Sequence, residues 1–270
     1  MLIIKQITPI EIYQNRERFP DYVSEQLSTL ITGRVWMTDL EQIVHRFQLH
    51  KITKMTQEDI LTYHWNTERV DEIIRETFDE VNKHLPFDSV SFTVFPALFY
   101  PWFKQHDRSI WTNGFTNGPN SIQIAVPPNP DEVFLRYMVA HELHHATPIN
   151  PIYNLTADNF SLSEWFKMEG GAELFALSLY EDKRWWKDDF TSEVEDMYKQ
   201  SMKTHLDSVD AKIKNRFCFG DPKNGIPYLA GYAFSYNVFR NFSERNPKLT
   251  YREFLEVDSS RIIQEYIHLE

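Results

Sequence analysis

Three histidines and one glutamate lie within residues 141–145, whose sequence is HELHH. Residues four apart lie on the same face of a helix, so His141 and His145 can bind one tetrahedral metal ion together. Glu142 is rotated by about 100° from His141, which places its carboxylate beside the metal, where it can take a proton from metal-bound water. His144 points off the metal axis and is better explained by a structural hydrogen bond. The pattern is typical of two ligands and a general base; the alternative is a helix whose histidines are satisfied in the core.

A third ligand is expected, because a catalytic zinc is held by three protein side chains and keeps one position open for water. Ser161 and Glu164 fit a capping box, which predicts a helix over residues 161–182. Glu169 and Glu173 interrupt its apolar stripe, and a buried carboxylate is costly unless it is paired or bound to a metal. We therefore predict Glu169 as the third ligand and Glu173 as a hydrogen-bond partner of a ligand histidine. The alternative is two surface glutamates on a frayed helix.

Two adjacent glycines, Gly170 and Gly171, lie in the middle of this predicted helix. Each costs about 1 kcal/mol relative to alanine, so a structural use is expected. The natural use of such glycines is the close approach of another helix. We predict that this helix crosses the histidine-containing helix at the glycines and so brings Glu169 to the metal.

The elements around the histidines are predicted to be a small sheet and a helix. The helix should run over residues 131–146, with Asn129 as its N-cap. Before it, apolar and polar residues alternate over residues 90–94 and 122–126, which predicts two half-buried strands. The segment between them, TNGFTNGPN at residues 112–120, is rich in Gly and Asn and favours turns or a mobile loop that could act as a lid; an ordinary hairpin is the alternative.

The remainder of the chain is predicted to be mostly helical, which makes the fold class α+β with a small β-sheet. Residues 1–66 form an N-terminal helical region, and residues 67–270 form the domain that carries the chemistry. A helix over residues 67–83 buries one apolar face. That face consists of Val70, Ile73, Ile74, Phe78 and Val81. Further helical segments are predicted at residues 161–182, 191–214, 227–242 and 251–270.

The composition excludes several classes of site and partner. The net charge of the 270-residue chain is −11, which argues against binding to nucleic acid or to an anionic membrane, because both need a basic surface. Cys218 is the single cysteine, so an internal disulfide and a thiolate-only zinc site are both excluded. We find no secretory signal and no run of 18 apolar residues, so a cytoplasmic protein is expected. The oligomeric state is left open.

Three motifs, AHELHHA, EGGAELFA and YLAGYAF, resemble those of the gluzincin metallopeptidases, and most closely the bacterial YjaZ-like family of predicted zinc-dependent proteases. The resemblance covers roughly residues 67–242. It implies a zincin-like domain with Zn²⁺ held by His141, His145 and Glu169. It also implies that an extended peptide pairs with the strand at residues 122–126, at the edge of the cleft.

The resemblance further implies a tyrosine that stabilises the oxyanion of the reaction. Tyr228 is the first choice because it lies in a Y-x-x-G context, and Tyr232 is the second. The alternative is that both tyrosines belong to an aromatic helix of the core, since aromatic stripes usually serve packing.

The expected function is that of a zinc-dependent metallopeptidase, a hydrolase that cleaves peptide bonds of a peptide or protein substrate. Zinc-bound water would attack the scissile carbonyl with Glu142 as the base. The alternative is a non-catalytic zinc-containing protein, such as a stress-response or peptide-binding protein. A structural zinc site would be closed by a fourth ligand, for which His144 and His205 are the candidates.

Overall fold

A computed structural model describes residues 1–30, 35–100, 103, 106–156 and 158–268. The chain divides into two compact units, residues 1–148 and residues 149–270. Strands and helices together occupy the first unit, and helices occupy the described part of the second. The α+β class with a small sheet is therefore confirmed, whereas the predicted division between residues 66 and 67 stays a prediction.

The first unit carries one sheet of four strands. The strands are β1 (Leu2–Gln6), β2 (Val90–Pro96), β3 (Asn113–Gly118) and β4 (Ser121–Val126). Its helices are α1 (Pro9–Gln14), α2 (Asp21–Ser28), α3 (Leu40–Arg46), α4 (Gln57–Thr62), α5 (Thr67–Val81) and α6 (Glu132–Ala146). The second unit consists of α7 (Leu162–Leu179), α8 (Ser192–Met202), α9 (Ala211–Phe219), α10 (Ala230–Arg245), α11 (Tyr251–Glu256) and α12 (Ser259–Ile267).

The strand order in the sheet is β1-β2-β4-β3. β1 and β4 both run parallel to β2, and β3 runs antiparallel to β4. The N-terminal region, predicted to be helical, thus also supplies a strand. Because β4 is paired on both sides, the expectation that a peptide pairs with residues 122–126 is wrong, and β3 is the edge strand on that side of the sheet.

The segment at residues 112–120 is a strand rather than a mobile loop. Asn113–Gly118 forms β3, which pairs with β4 in a hairpin with a bulge between Thr116 and Gly118. The Gly and Asn residues that suggested turns are tolerated here because backbone pairing with β4 and packing against α6 hold the strand. The lid hypothesis for this segment is therefore wrong, and the hairpin alternative is correct.

The two central strands are more deeply buried than their alternating pattern predicted. Every residue of β2 and β4 is buried. The polar positions Thr93 and Gln123 are each 1 % exposed. A strand with neighbours on both sides and protein on both faces buries all of its residues. The alternation of apolar and polar residues therefore distinguished the two faces of each strand but did not predict that one face is exposed.

Helices α5 and α6 follow the sequence pattern closely. The predicted apolar face of α5 is buried throughout, and α5 packs against α6. The N-cap of α6 is Asp131, whose side chain accepts a hydrogen bond of 2.9 Å from the backbone N–H of Phe134. The predicted cap, Asn129, lies two residues earlier with φ 52°. A left-handed residue turns the chain into the cap and cannot itself cap the helix, so this prediction is wrong.

Helix α7 begins where the sequence predicted and packs closely against α10. The Ser161 hydroxyl accepts from the N–H of Glu164 at 3.3 Å, whereas Glu164 itself accepts from the hydroxyl of Ser259 at 2.6 Å, so only half of the capping box forms. At Gly170 an added Cβ would lie 2.4 Å from the ring of Phe239 and 2.6 Å from the backbone oxygen of Ser235. Gly170 therefore admits α10, and the crossing of the histidine-containing helix at the two glycines stays a prediction.

None of the described helices combines the length and the apolar character that a membrane span requires.

Candidate metal centre

Helix α6 presents its two candidate histidine ligands side by side. His141 is 4 % exposed and His145 is 5 % exposed. Their Nε2 atoms lie 3.0 Å apart, and their rings meet edge to face at 86°. Two imidazole nitrogens bound to one tetrahedral zinc at 2.0–2.1 Å would lie about 3.3 Å apart. The helix thus aims both Nε2 atoms at a common point, as the spacing of four residues predicted.

Glu142 is directed toward the edge strand of the sheet. Its Oε2 accepts a hydrogen bond of 2.7 Å from the hydroxyl of Thr116, and that hydroxyl also lies 2.9 Å from the backbone oxygen of Glu142. A Cβ at Gly114 would lie 2.3 Å from Oε1 of Glu142. Glycine at this position therefore makes room for the carboxylate, and Thr116 holds one of its oxygens.

Helix α7 carries the candidate carboxylate ligand on its buried face. Glu169 is 5 % exposed and Glu173, one turn later, is fully buried. The alternative of two surface glutamates is therefore wrong.

Burial, with the Glu169 carboxylate adding to it, raises the pKa of Cys218 well above its usual range. The thiol is therefore protonated near neutral pH.

Arg184 is the positive partner of Glu173. Arg184 donates a hydrogen bond from NH1 to Oε2 of Glu173, with the two atoms 2.6 Å apart, and both side chains are almost completely buried. The same guanidinium binds Asp182 through Nε and NH2, each at 2.9 Å, and stacks 4.2 Å from the ring centre of Tyr236. The predicted hydrogen bond from a ligand histidine to Glu173 stays a prediction.

Nothing in the sequence singles out Arg184 as the partner of Glu173. Its signal in the sequence is weak, since a single arginine follows the acidic pair Glu181–Asp182 in a loop after the helix. Only the path of the chain after α7 brings this residue back to Glu173. Arg184 therefore gives the buried carboxylate of Glu173 a charged hydrogen-bond partner from the protein itself.

His141, His145 and Glu169 together form a group that could hold a metal ion. Each offers one ligand atom, the three atoms lie within 4.8 Å of one another, and all three residues are buried. Two imidazoles and one carboxylate are a donor set that suits zinc. No fourth described residue belongs to the group, so neither His144 nor His205 closes it. The donor chemistry and the spacing therefore fit a zinc ion with a position left for another ligand.

A family model described as "Predicted Zn-dependent protease (DUF2268)" matches residues 70–264. That match covers more than half of the chain. The chain belongs to this predicted Zn-dependent protease family. No curated protein and no solved structure shows a significant match to it. The family description supports protease activity and zinc dependence, in agreement with the metal-binding group.

Within this predicted Zn-dependent protease, the two tyrosines proposed for the oxyanion differ in setting. Tyr228 is 38 % exposed and precedes α10, with Leu229 in the left-handed region at φ 58° between them. Tyr232 lies on the first turn of α10, half-buried, with its ring 5.1 Å from that of Trp165. The phenol of Tyr228 is thus the more accessible of the two, and its role stays a prediction.

The family match begins at residue 70, so it leaves out the first 69 residues, which include β1 and helices α1 to α4. β1 nevertheless pairs with β2, which lies within the match. The part outside the match also contributes to the surroundings of β3. It contains Arg46, the last residue of α3, whose guanidinium lies over the ring of Phe115 in β3.

Proposed function

We propose that this protein is a zinc metallopeptidase of the gluzincin type, similar to the YjaZ-like proteases, with a zincin-like catalytic domain. Zinc would be held by His141, His145 and Glu169. The observation that carries the proposal is the convergence of these three buried side chains, within 4.8 Å, in a chain of the predicted Zn-dependent protease family. The substrate would be a peptide or protein.

A bound zinc ion supplies Lewis acidity, which lowers the pKa of a water molecule and polarises the carbonyl of the scissile bond. Two neutral imidazoles and one carboxylate leave a net positive charge on such a centre, so it stays electrophilic. Burial of the three ligands excludes bulk water, which strengthens electrostatic interactions within the site.

Glu142 would move the proton of the reaction. It takes a proton from the attacking water and then donates it to the nitrogen of the leaving amine. Its position on α6 next to His141 supports this role, as does the hydrogen bond from Thr116, which occupies Oε2. Oε1 lies close to Gly114 while Thr116 binds the other oxygen, so the carboxylate is fixed in place.

Tyr228 would donate a hydrogen bond from its phenol hydroxyl to the oxyanion that develops on the scissile carbonyl. Its exposed position before α10 supports contact with a substrate, because a phenol that is fully packed in a core cannot reach one. Tyr232, half-buried against Trp165, is the second choice.

The alternative function is a zinc-containing protein without catalysis. A structural zinc site is normally closed by four protein ligands, and the group found among the described residues has three. This count favours the peptidase over a structural zinc protein. A protein that only captures peptides would keep the three ligands as well, so activity measurements must separate these two functions.

The direct test combines metal analysis with one substitution. The purified protein should contain about one zinc ion per chain and should cleave an unfolded protein such as casein. Glu142→Gln should keep the zinc and lower the rate of cleavage by about a hundredfold to ten-thousandfold, which is the usual contribution of a general base.

Glu132→Gln is the matched control, because Glu132 lies on the same helix but is exposed and paired with Arg69 at the surface. It should leave both zinc content and activity near those of the wild type. A folded protein without zinc would disprove the metal centre. Full activity of Glu142→Gln would disprove the assigned base, and zinc without cleavage of any peptide would favour the peptide-capture function.

A further inference from the structure

Arg46 is a cation without an acidic partner in the described part of the chain. It takes part in no ion pair with a described aspartate or glutamate, and its Nε is buried without a hydrogen-bond partner among the described residues. Its guanidinium carbon lies 4.3 Å from the ring centre of Phe115. A guanidinium without a carboxylate partner among the described residues can pair with the carboxylate of a ligand.

The guanidinium is held in this place by its backbone. Arg46 ends α3, and its carbonyl oxygen accepts a hydrogen bond from the hydroxyl of Tyr100. The Tyr100 side chain also interacts with Asn113, the first residue of β3. A planar guanidinium that stacks by its face on an aromatic ring leaves the edge with its N–H donors available, and this edge matches the two oxygens of a carboxylate.

The surroundings of Arg46 are basic although the whole chain is acidic. Residues 42–57 contain Arg46, Lys51, Lys54 and two histidines, and no aspartate or glutamate. Burial, followed by the positive charges of His45, Lys54 and Lys51, lowers the pKa of His50. In a chain of net charge −11, this local concentration of positive charge would attract an anionic group.

Phe115 lies on the edge strand, between the two residues that contact Glu142. Gly114 and Thr116 are buried and face α6, whereas Asn113 and Phe115 are half-buried and lie on the opposite face of the strand. At the far end of β3, the N–H of Trp36 donates to the carbonyl oxygen of Asn117 at 2.9 Å. An added strand could therefore pair only with the part of β3 before Asn117.

A peptide that pairs with this part of β3 would place one side chain directly opposite Phe115. Side chains of facing residues lie about 4.5–5.5 Å apart at Cβ. Since the guanidinium of Arg46 covers the ring of Phe115, an acidic side chain at that position would reach its free edge. A peptide that ends at this point would present its C-terminal carboxylate instead.

We propose that Arg46 and Phe115 form a carboxylate-binding subsite for the substrate of this protein. The inference rests on the proposed peptidase function and adds a substrate class to it, namely peptides with an acidic side chain or a free C-terminus at the position opposite Phe115. The subsite is built in part from α3, which lies outside the residues that match the family model.

The test uses zinc-loaded full-length protein and degenerate octapeptide pools with Glu, Gln or Lys fixed at one position. Each pool is made with a free C-terminal carboxylate and with a C-terminal amide. The wild type should cleave a Glu pool about tenfold faster than the corresponding Gln pool, in line with one charge-assisted hydrogen-bonded pair. If the carboxylate comes from the C-terminus, the preference should instead be for free over amidated peptides.

Arg46→Gln should abolish the preference, and Arg46→Glu should shift it toward the Lys pool, which a purely structural role of Arg46 would not do. Arg18→Gln is the matched control, since it removes an exposed arginine of the N-terminal region that pairs with Glu25 at the surface. It should keep the preference. If Arg46→Gln fails to fold, Arg46→Lys retains the charge without the planar fork and should reduce the preference several-fold.

A preference ratio that is the same for the wild type, the Arg46 variants and Arg18→Gln would overturn the subsite and leave the peptidase intact. Binding of fluorescent pools to zinc-loaded Glu142→Gln, followed by anisotropy, separates the two failures. Binding that favours Glu and depends on Arg46, without cleavage by the wild type, would disprove the peptidase alone. The absence of any peptide binding would overturn the subsite.

Discussion

Glycine at position 114 leaves the space that the Glu142 carboxylate occupies. Any larger residue would place a Cβ 2.3 Å from Oε1 and 2.5 Å from Cγ of Glu142. On the same face of the strand, the Thr116 hydroxyl fixes the other oxygen at 2.7 Å. A general base must be held within hydrogen-bond reach of its proton, so two residues of the edge strand position the proposed base.

Thr116→Val should lower the rate of peptide cleavage roughly tenfold, with zinc content unchanged. Valine has nearly the shape of threonine but cannot donate a hydrogen bond, so a charge-assisted hydrogen bond to a buried carboxylate is lost. The rate is measured as kcat/KM on a fluorogenic peptide, next to zinc analysis of the same sample.

Thr116→Ser is the control for this experiment, because serine keeps the hydroxyl and should keep most of the activity. Equal activity of the valine and serine variants would show that Thr116 does not position Glu142. A loss of zinc in Thr116→Val would show that the residue acts on the metal centre rather than on the base.

At the scale of the elements, α7 combines a functional face with a tightly packed one. Glu169 and Glu173 lie on it four residues apart, and Gly170 between them lets α10 approach to van der Waals distance. Helices α7 and α10 share the most extensive helix-to-helix packing in the second unit. The position of the proposed ligand Glu169 therefore depends on how closely α10 packs against the next residue.

Gly170→Ala should lower the free energy of unfolding by about 1–3 kcal/mol, as overpacking of a core usually does. The added methyl group meets the ring of Phe239 and, more rigidly, the backbone oxygen of Ser235 at 2.6 Å. Urea denaturation followed by circular dichroism measures the change. Alanine is the better helix former, so an unchanged or increased stability would show that α7 and α10 can separate without cost.

The secondary structure around the site could be predicted from the sequence, whereas the packing partners could not. The apolar face of α5, the helix at the histidines and the start of α7 at Ser161 all follow from periodicity and capping within a few residues. β3 was missed because its Gly- and Asn-rich composition favours turns, and only pairing with β4 overrides that preference. Local signals decide helices better than they decide strands, which depend on distant neighbours.

At the scale of the whole molecule, the two buried carboxylates of α7 have different partners. Glu169 would bind the proposed zinc ion, whereas Glu173 pairs with Arg184. A ligand that binds the folded state stabilises it, so zinc should raise the melting temperature of the protein. Asp182 and Glu173 share the charge of Arg184. The two glutamates therefore affect stability in different ways.

Glu169→Ala should abolish the increase in melting temperature that zinc produces after treatment with a chelator. Glu173→Ala should keep that increase but lower the stability of the zinc-free protein by about 3–5 kcal/mol, because it removes one partner of a buried ion pair. Differential scanning fluorimetry with and without zinc measures both effects. The reverse assignment of the two effects would show that Glu173, and not Glu169, is the ligand.

The sequence by itself determined the chemistry of the centre: two histidines four apart on one helix face, a glutamate beside them, and a second helix with carboxylates on its apolar stripe. These features are local, because the pitch of a helix relates residues only a few positions apart. The tertiary structure alone decided that Thr116 and Gly114 hold Glu142, that Gly170 admits α10, that Arg184 neutralises Glu173 and that Arg46 covers Phe115. Each of these contacts joins separate elements, and the chain path that brings them together depends on the packing of the whole core rather than on any short stretch of residues.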